Sequence, residues 1–264
     1  MKIKQIKQTI STLLAASILM FGISTTRADV GQQTIKLPSL DEVQAASYCV
    51  YDKTTGEIIL SSNPDAQIYP ASMTKIMTAQ LALDYLDTDD MVTVSQNAID
   101  ATTSDSTLMG LSVGENVKIS ELLYGMLLPS GNDAANVLAE ATVTAFITNY
   151  PANGDNGPDG VNASYLTDKL GMTEDEILSG SLLTAFAELM NLRAQNIGCT
   201  GTHFVNANGL HSDSHYTTAS DLTKMMANAT QNPDFCTVIN TPTHVFAATD
   251  KHPEDGWSMV RNTN

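Results

Sequence analysis

Residues 71–86 constrain the fold more than any other segment of the chain. Their sequence, ASMTKIMTAQLALDYL, is apolar at most positions, as expected of a helix that is buried on nearly all sides. Pro70 precedes the segment and suits a helix start, where its missing N–H costs nothing. We therefore expect a helix that other elements enclose. The apolar positions that predict it are Ile76, Met77, Ala79, Leu81 and Leu83.

The flanking segments predict a mixture of strands and helices. Residues 46–62 hold two β-prone runs around the turn sequence DKTTG, and residues 91–95 predict another short strand. Residues 179–198 and 217–230 have the apolar spacing of amphipathic helices, and Thr218 or Ser220 would cap the second of these.

A short polar link joins two further predicted helices. The first is expected to be capped by Ser120 and to end before Pro129, which disfavours helix at the preceding residue. The second begins near Asn132 or Asp133, so Ser130, Gly131 and Asn132 form a tight connection. Such links between rigid helices suit positioned side chains, although Asn132 could equally act only as a helix cap.

Ser72 and Lys75 lie at the start of the apolar helix, one turn apart on one face. A serine hydroxyl is a weak nucleophile until a nearby base takes its proton. Lys75 can act as that base if burial and the positive helix N-terminus lower its pKa. Because this spacing also arises by chance, the pair alone does not establish catalysis. Ser130 and Asn132 would add a hydroxyl for proton transfer and an amide for hydrogen bonding.

The segments YPASMTKIMTA and LLPSGNDAANVLAE together closely resemble the serine D-Ala-D-Ala carboxypeptidases, the low-molecular-mass penicillin-binding proteins. FVNANGLHSDSHYTTASDL and VRNTN resemble the segments that follow in that family, so the likeness runs from about Ala46 to Asn264 with one gap. It implies an α/β (α+β), β-lactamase/transpeptidase-like fold. In that fold an antiparallel sheet is flanked by helices, and a helical subdomain is added.

The resemblance also implies a reaction. Ser72 is expected to attack the carbonyl between the terminal D-alanines of a peptidoglycan stem peptide, with Lys75 as general base. Ser130 would shuttle a proton to the departing D-alanine, and Asn132 would bind the substrate amide and help fix Lys75. β-Lactam antibiotics mimic the dipeptide and would acylate Ser72. No metal or organic cofactor is implied, and for the NGL and HYTTA segments we expect turn and scaffold roles.

The chain departs from the family in one motif. No Lys-Thr/Ser-Gly triad occurs between Asn132 and Asn264, whereas the family carries one on a later sheet strand that completes the oxyanion hole. We therefore expect a C-terminally truncated domain without the last sheet strands or the C-terminal membrane anchor common in the family. Losing one oxyanion-hole donor costs about 10²–10³ in rate. The 264-residue chain is accordingly expected to be an impaired enzyme, and efficient labelling by a fluorescent penicillin would contradict this.

Two stretches are predicted to lie outside the domain core. Residues 1–28 place lysines before an apolar run and a small residue, as in a secretory signal peptide, which predicts an extracytoplasmic protein. An uncleaved anchor is the alternative. Residues 29–44 are predicted to be a flexible lead-in, and residues 45–264 the domain. Within the domain, residues 148–180 are predicted to be an inserted surface loop, either neutral or flanking the cleft.

Two other functions remain open on the sequence alone. A class A-like β-lactamase shares Ser-x-x-Lys, but it favours Ser-Asp-Asn and needs a glutamate for deacylation. The segment AELMN, residues 187–191, has the wrong spacing for that glutamate. A non-catalytic wall-binding or β-lactam-sensing protein is the other alternative, although it would not need Lys75 beside Ser72.

Charge, cysteine content and histidine spacing bear on other functions. The formal net charge of −16 repels phosphate backbones and argues against nucleic-acid binding. Cys49, Cys199 and Cys236 allow one disulfide and one thiol, or three buried thiols. His211 and His215 lie in a loop-like segment that offers no third ligand, so they make a poor zinc site.

Overall fold

The computed structural model describes residues 43–254 and 258–263. The predicted signal peptide, residues 1–28, and nearly all of the predicted lead-in, residues 29–44, lie outside the described residues. The described residues from Gln44 onward form one compact unit. In the part of the chain that the structure describes, no helix combines the length and the apolar character that crossing a membrane requires.

The predicted central helix, α1 (Lys75–Tyr85), is confirmed and is enclosed by other helices. Its two faces enter two different core clusters, because Ala79 and Ala82 pack in one and Met77 and Leu81 in the other. The helices that follow along the chain are α2 (Gln96–Asp100), α3 (Ile119–Leu127), α4 (Asn132–Asn149), α5 (Ser164–Leu170), α6 (Glu174–Gly180), α7 (Leu182–Asn196), α8 (Ala219–Ala229) and α9 (Pro233–Ile239).

The described strands form three antiparallel pairs, which confirms the mixture of helices and antiparallel strands predicted for the fold. Each strand pairs along one edge only, so the described strands do not join into the single sheet that the resemblance implied. The pairs are β1 (Tyr48–Tyr51) with β2 (Ile58–Ser62), β3 (Met91–Thr93) with β4 (Asn116–Lys118), and β5 (Thr243–Val245) with β6 (Met259–Arg261).

The tight link between α3 and α4 is confirmed, but the predicted cap of α3 is wrong. Strand β4 runs directly into the helix, so Lys118, in an extended conformation, occupies the N-cap position. Ser120 therefore lies inside the helix. Of the two candidates at the start of α8, Thr218 is the cap, and its side chain accepts a hydrogen bond from the backbone N–H of Asp221.

The prediction of a surface loop at residues 148–180 is wrong for the second half of this segment. Residues 151–163 are irregular, whereas α5 and α6 occupy most of residues 164–180. Leu166 and Ile177 are fully buried and belong to the core cluster of Phe186. Because most residues of the segment are polar, the sequence pattern does not reveal these two apolar residues. Each of them packs one short helix against the core.

The cysteines are free thiols, and Cys199 is the one that is fully buried. Its Sγ lies 3.6 Å from the carbonyl oxygen of Asp221, in the first turn of α8. The Sγ of Cys236 lies 3.4 Å from the carbonyl oxygen of Thr230, just after the last turn of the same helix. Because α8 rises about 1.5 Å per residue, these two thiols are too far apart to form a disulfide.

Candidate active site

Ser72 and Lys75 meet at the start of the central helix. A 3-10 turn, Ala71–Thr74, precedes α1, so Ser72 lies on the tighter turn and Lys75 is the first α-helical residue. The Nζ atom of Lys75 is 3.2 Å from the Oγ atom of Ser72. Ser72 is exposed to solvent, whereas Lys75 is only 2% exposed. The structure thus brings the predicted pair into contact, with the amine held beneath the hydroxyl.

Three further oxygen atoms converge on the Lys75 amine. The Oδ1 atom of Asn132 lies 2.7 Å from Nζ, and the Oγ atom of Ser130 lies 3.4 Å from it. Both residues come from the link between α3 and α4, as the sequence predicted. The third atom is the backbone carbonyl oxygen of Asn208, at 2.8 Å. The amine is therefore surrounded by two hydroxyls and two carbonyl oxygens.

The link that carries Ser130 and Asn132 has a constrained backbone. Ser130 adopts a φ of +69°, in the left-handed region that side chains rarely occupy. A Cβ atom on Gly131 would come 2.6 Å from the carbonyl oxygen of Gly125, so this position has no room for a side chain. Asn132 does not cap α4. The N-cap residue is Gly131, and Asn132 is the first residue of the helix itself. The capping alternative for Asn132 is therefore wrong.

Asp133 fastens a neighbouring loop to the first turn of α4. Its buried carboxylate accepts hydrogen bonds from the backbone N–H groups of Met109, Gly110 and Leu111, at 2.7, 2.8 and 3.0 Å. The backbone N–H of Asn132 donates to the carbonyl oxygen of Thr107 at 2.8 Å. These bonds hold residues 107–111 against the start of α4, beside Asn132.

A tight turn aims the carbonyl group of Asn208 at Lys75. The Oδ1 atom of Asn206 accepts from the backbone N–H of Gly209 at 2.7 Å, and its Nδ2 atom donates to the carbonyl oxygen of Leu210 at 2.8 Å. The Oγ1 atom of Thr78, one turn along α1 from Lys75, donates to the carbonyl oxygen of Ala207 at 2.6 Å. The turn is thus bonded both to itself and to the helix that carries Lys75.

Gly209 presses this turn against the backbone that precedes Ser72. Its φ is +92°, and a Cβ atom there would lie 1.9 Å from the carbonyl oxygen of Ala71 and 2.9 Å from the backbone nitrogen of Ser72. Only glycine fits this contact. The NGL segment, predicted to serve only as a turn, therefore also supplies an oxygen to the site and supports the Ser72 turn.

Burial changes the protonation of the amine. Desolvation lowers the pKa of Lys75 to about 8, and the negative charge of Asp133 opposes this shift. An amine with such a pKa is partly neutral near pH 7, which a proton acceptor requires.

An apolar cavity of about 370 Å³ opens beside Ser72. Ser72, Lys75 and Ser130 lie along its polar edge. The site therefore combines a polar cluster with an apolar wall, an arrangement typical of small-molecule sites. The apolar lining consists of Met73, Ile76, Met126, Leu127, Met226, Phe235 and Ile239.

The two histidines considered as zinc ligands have separate roles. The Nδ1 atom of buried His215 accepts from the backbone N–H of Val205 at 3.1 Å, and its Nε2 atom lies 2.7 Å from the Oγ1 atom of Thr74. Burial lowers the pKa of His215 to about 4. His211 instead packs edge-on against the ring of Tyr69. His215 thus supports the 3-10 turn that carries Ser72.

The sequence did not identify three groups that shape this site. They are the carbonyl oxygen of Asn208, the carboxylate of Asp133 and the hydroxyl of Ser106, which accepts from the Nδ2 atom of Asn132 at 3.0 Å. A backbone carbonyl leaves no signature in a sequence. The only available signal for Asn208 was the Asn-Gly pair, which indicates a turn but not its target.

The chain matches the family model described as D-alanyl-D-alanine carboxypeptidase over residues 32–147 and 174–263. It is 27% identical over 257 residues to the D-alanyl-D-alanine carboxypeptidase of Streptomyces sp. strain K15, covering 95% of this chain and 77% of that protein. It is 29% identical over 221 residues to the D-alanyl-D-alanine carboxypeptidase DacD of Escherichia coli K12, covering 80% of this chain and 46% of that protein.

The same likeness is present in three dimensions. The crystal structure of the Streptomyces K15 DD-transpeptidase aligns with a TM-score of 0.65 at 27% sequence identity, covering 87% of this chain and 76% of that one. The chain thus spans about three quarters of the Streptomyces protein but less than half of the Escherichia coli protein.

Proposed function

Because this chain belongs to the D-alanyl-D-alanine carboxypeptidase family, we propose that it is a serine D-Ala-D-Ala carboxypeptidase acting on peptidoglycan stem peptides outside the cytoplasm. The family resemblance inferred from the Ser-x-x-Lys and Ser-Gly-Asn segments is confirmed by the match to the family model. In this proposal Ser72 is the nucleophile, Lys75 the general base, Ser130 the proton shuttle and Asn132 a substrate-binding residue. β-Lactams would acylate the same serine.

The observation that carries the proposal is the arrangement of oxygen atoms around Lys75. A neutral amine has two N–H bonds and one lone pair. The two nearest oxygens, Oδ1 of Asn132 and the carbonyl of Asn208, can only accept hydrogen bonds. The hydroxyls of Ser72 and Ser130 can donate. A neutral Lys75 that donates to both carbonyls therefore turns its lone pair toward the two serines.

This arrangement supports a simple sequence of proton transfers. As Ser72 Oγ bonds to the substrate carbonyl carbon, its proton passes to the Lys75 lone pair, 3.2 Å away. The tetrahedral intermediate then collapses and the C–N bond to the terminal D-alanine breaks. The leaving nitrogen takes a proton from the Ser130 hydroxyl, which regains one from the Lys75 ammonium 3.4 Å away. Water finally hydrolyses the ester on Ser72.

The pKa of Lys75 makes this sequence feasible at neutral pH. With a pKa of about 8, roughly a tenth of the molecules carry a neutral amine at pH 7. An ordinary lysine, with a pKa near 10.4, would supply only about 0.04%. Burial of Lys75 therefore raises the reactive fraction more than a hundredfold over a solvated lysine.

The two alternative functions are less well supported. The relatives reported above carry the carboxypeptidase name, which favours that activity over a β-lactamase. Glu188, in the AELMN segment, lies on α7. Its backbone carbonyl oxygen is 3.5 Å from the hydroxyl of Tyr165 on α5. A purely binding protein would gain nothing from burying an amine beside a serine, because burial of a charge is unfavourable.

Mass spectrometry of the purified chain treated with benzylpenicillin tests the proposal. We expect a covalent adduct that maps to the peptide containing Ser72, forms slowly and is lost in Ser72→Ala. The exposed Ser214→Ala serves as the matched control and should retain the adduct. An adduct on another residue, one that survives Ser72→Ala, or no adduct at all would contradict the proposal.

Two further measurements separate the alternatives. Release of D-alanine from a Lys-D-Ala-D-Ala tripeptide is expected of a carboxypeptidase and not of a binding protein. An acyl-enzyme that persists for hours supports a peptidase, whereas one that turns over in milliseconds would indicate a β-lactamase.

A further inference from the structure

A chain of hydrogen bonds leads away from the site through Asn132 to the protein surface. We propose that Ser106 is a positioning residue for Lys75, because it fixes the orientation of the Asn132 carboxamide through a one-way hydrogen-bond chain that ends on Asp105. This inference rests on the function proposed for Lys75 and adds a residue outside the Ser-x-x-Lys and Ser-Gly-Asn segments.

The chain contains four consecutive contacts. Lys75 Nζ lies 2.7 Å from Asn132 Oδ1, and Asn132 Nδ2 lies 3.0 Å from Ser106 Oγ. Ser106 Oγ is 3.1 Å from Thr103 Oγ1, and Thr103 Oγ1 is 2.6 Å from Asp105 Oδ1. Asp105 is exposed, so the chain connects the buried amine to a solvated carboxylate.

The contact between Thr103 and Asp105 sets the donor and the acceptor of every other hydrogen bond in the chain. The ionised carboxylate of Asp105 can only accept, so the single proton of the Thr103 hydroxyl points toward it. The Ser106 hydroxyl must then donate to Thr103 Oγ1. The backbone N–H of Thr103 also donates to Ser106 Oγ, at 3.0 Å, which holds the hydroxyl in place. Ser106 therefore offers only a lone pair to Asn132.

This fixed lone pair determines which way the Asn132 amide faces. A carboxamide has similar shape in its two flipped orientations, and only its hydrogen-bond partners distinguish them. With an acceptor at Ser106, the NH₂ group must face Ser106 and Oδ1 must face Lys75. The reverse orientation would place donors opposite the Lys75 amine. Ser106 thus keeps an acceptor on Lys75, and the lone pair of the neutral amine stays directed toward Ser72 and Ser130.

The segment that follows Ser106 does not depend on this hydroxyl for its position. The three backbone bonds to Asp133 and the bond between Asn132 N–H and the Thr107 carbonyl fasten residues 107–111 independently. Removing the Ser106 hydroxyl should therefore disturb the Asn132 amide more than the fold. This permits a test in a folded protein.

The test compares Ser106→Ala with Ser106→Thr, which restores a hydroxyl, and with the neighbouring exposed Ser104→Ala as control. The pKa of Lys75 is read by NMR from the labelled lysine side chain, and acylation by benzylpenicillin is followed by intact mass. In Ser106→Ala we expect the Lys75 pKa to fall by roughly half a unit or more, because its charged form loses a fixed acceptor. Acylation should slow by about tenfold.

A lower Lys75 pKa together with slower acylation distinguishes the loss of Asn132 orientation from a general loosening of the site. Loosening would admit water and move the Lys75 pKa up, toward its ordinary value. Ser106→Thr should restore both readouts, and Ser104→Ala should change neither. An unchanged or raised Lys75 pKa in Ser106→Ala, or failure of Ser106→Thr to restore it, would overturn the inference. Because the pKa is read without turnover, this result stands apart from whether the parent chain is acylated at Ser72.

Discussion

Replacing Gly209 with alanine tests how the Asn206–Leu210 turn supports the nucleophile. The added Cβ would lie 1.9 Å from the carbonyl oxygen of Ala71, and ordinary contact begins at 3.4 Å, so one backbone must move by about 1.5 Å. The alanine would also adopt a φ of +92°, and left-handed backbone costs about 1–2 kcal/mol. With about 1–3 kcal/mol for overpacking, the free energy of unfolding should fall by ~2–5 kcal/mol.

The displacement should slow the reaction as well as lower the stability. Ser72 follows Ala71 directly, and misplacement of a reacting group by about 1 Å costs on the order of 10²-fold in rate. We therefore expect acylation by benzylpenicillin to fall at least about a hundredfold relative to the parent chain. Urea denaturation and intact-mass time courses measure the two effects separately.

Gly171→Ala is the matched control for this substitution. Gly171 also has a positive φ, +64°, but a Cβ atom there meets nothing within 4 Å. It should lose only about 1–2 kcal/mol and leave acylation unchanged. If Gly209→Ala were no less stable than Gly171→Ala and were acylated at the parent rate, the proposed support of Ser72 by this turn would be refuted.

Three further predictions concern ionisation and a buried ion pair. Acylation should rise about tenfold per pH unit up to the Lys75 pKa of about 8 and then level off; a flat profile would exclude Lys75 as the base. His215 has a folded pKa of about 4 against an ordinary value of 6.5, so the unfolded chain binds more protons between these values. The free energy of unfolding should thus fall as pH drops from 6.5 toward 4, and His215→Gln should flatten that dependence in urea denaturation. Arg193 donates to Asp84 at 2.6 Å and to the buried Asp159 at 2.5 and 2.9 Å. Arg193→Met should lower the free energy of unfolding by ~3–5 kcal/mol because it leaves the buried Asp159 carboxylate without a cationic partner. Lys118→Met, at the exposed pair with Asp89, is the control and should lower it far less, because solvent screens an exposed ion pair; equal losses would contradict the importance of burial.

Local sequence patterns predicted the parts of the fold that depend on local physics. The apolar run after Pro70 predicted α1, and Pro129 marked the break between α3 and α4. Helices α5 and α6 were missed because Leu166 and Ile177 are isolated apolar residues in a polar segment, and their burial depends on the distant core around Phe186. Ser120 was misassigned as a cap because β4 leads into α3 without a turn.

The side chains proposed for catalysis were named from the sequence, whereas their supporting groups were not. Ser72, Lys75, Ser130 and Asn132 occur in short segments whose spacing carries chemical meaning. The carbonyl oxygen of Asn208 and the hydroxyl of Ser106 reach the site only through folding. Tertiary contact, rather than local pattern, decides which backbone oxygen faces a buried amine.

The pKa of the Lys75 side chain tests the central claim most directly. Chemical shifts of labelled lysine side chains can be followed from pH 6 to 11, and Lys75→Met assigns the Lys75 signal. We expect Lys75 to titrate near 8, because burial disfavours its charged form. In the same sample Lys118, paired with Asp89, should titrate above its ordinary value. A Lys75 pKa of about 10 or higher would show that the amine stays charged at neutral pH, and it would contradict the proposed role of Lys75 as the base that activates Ser72.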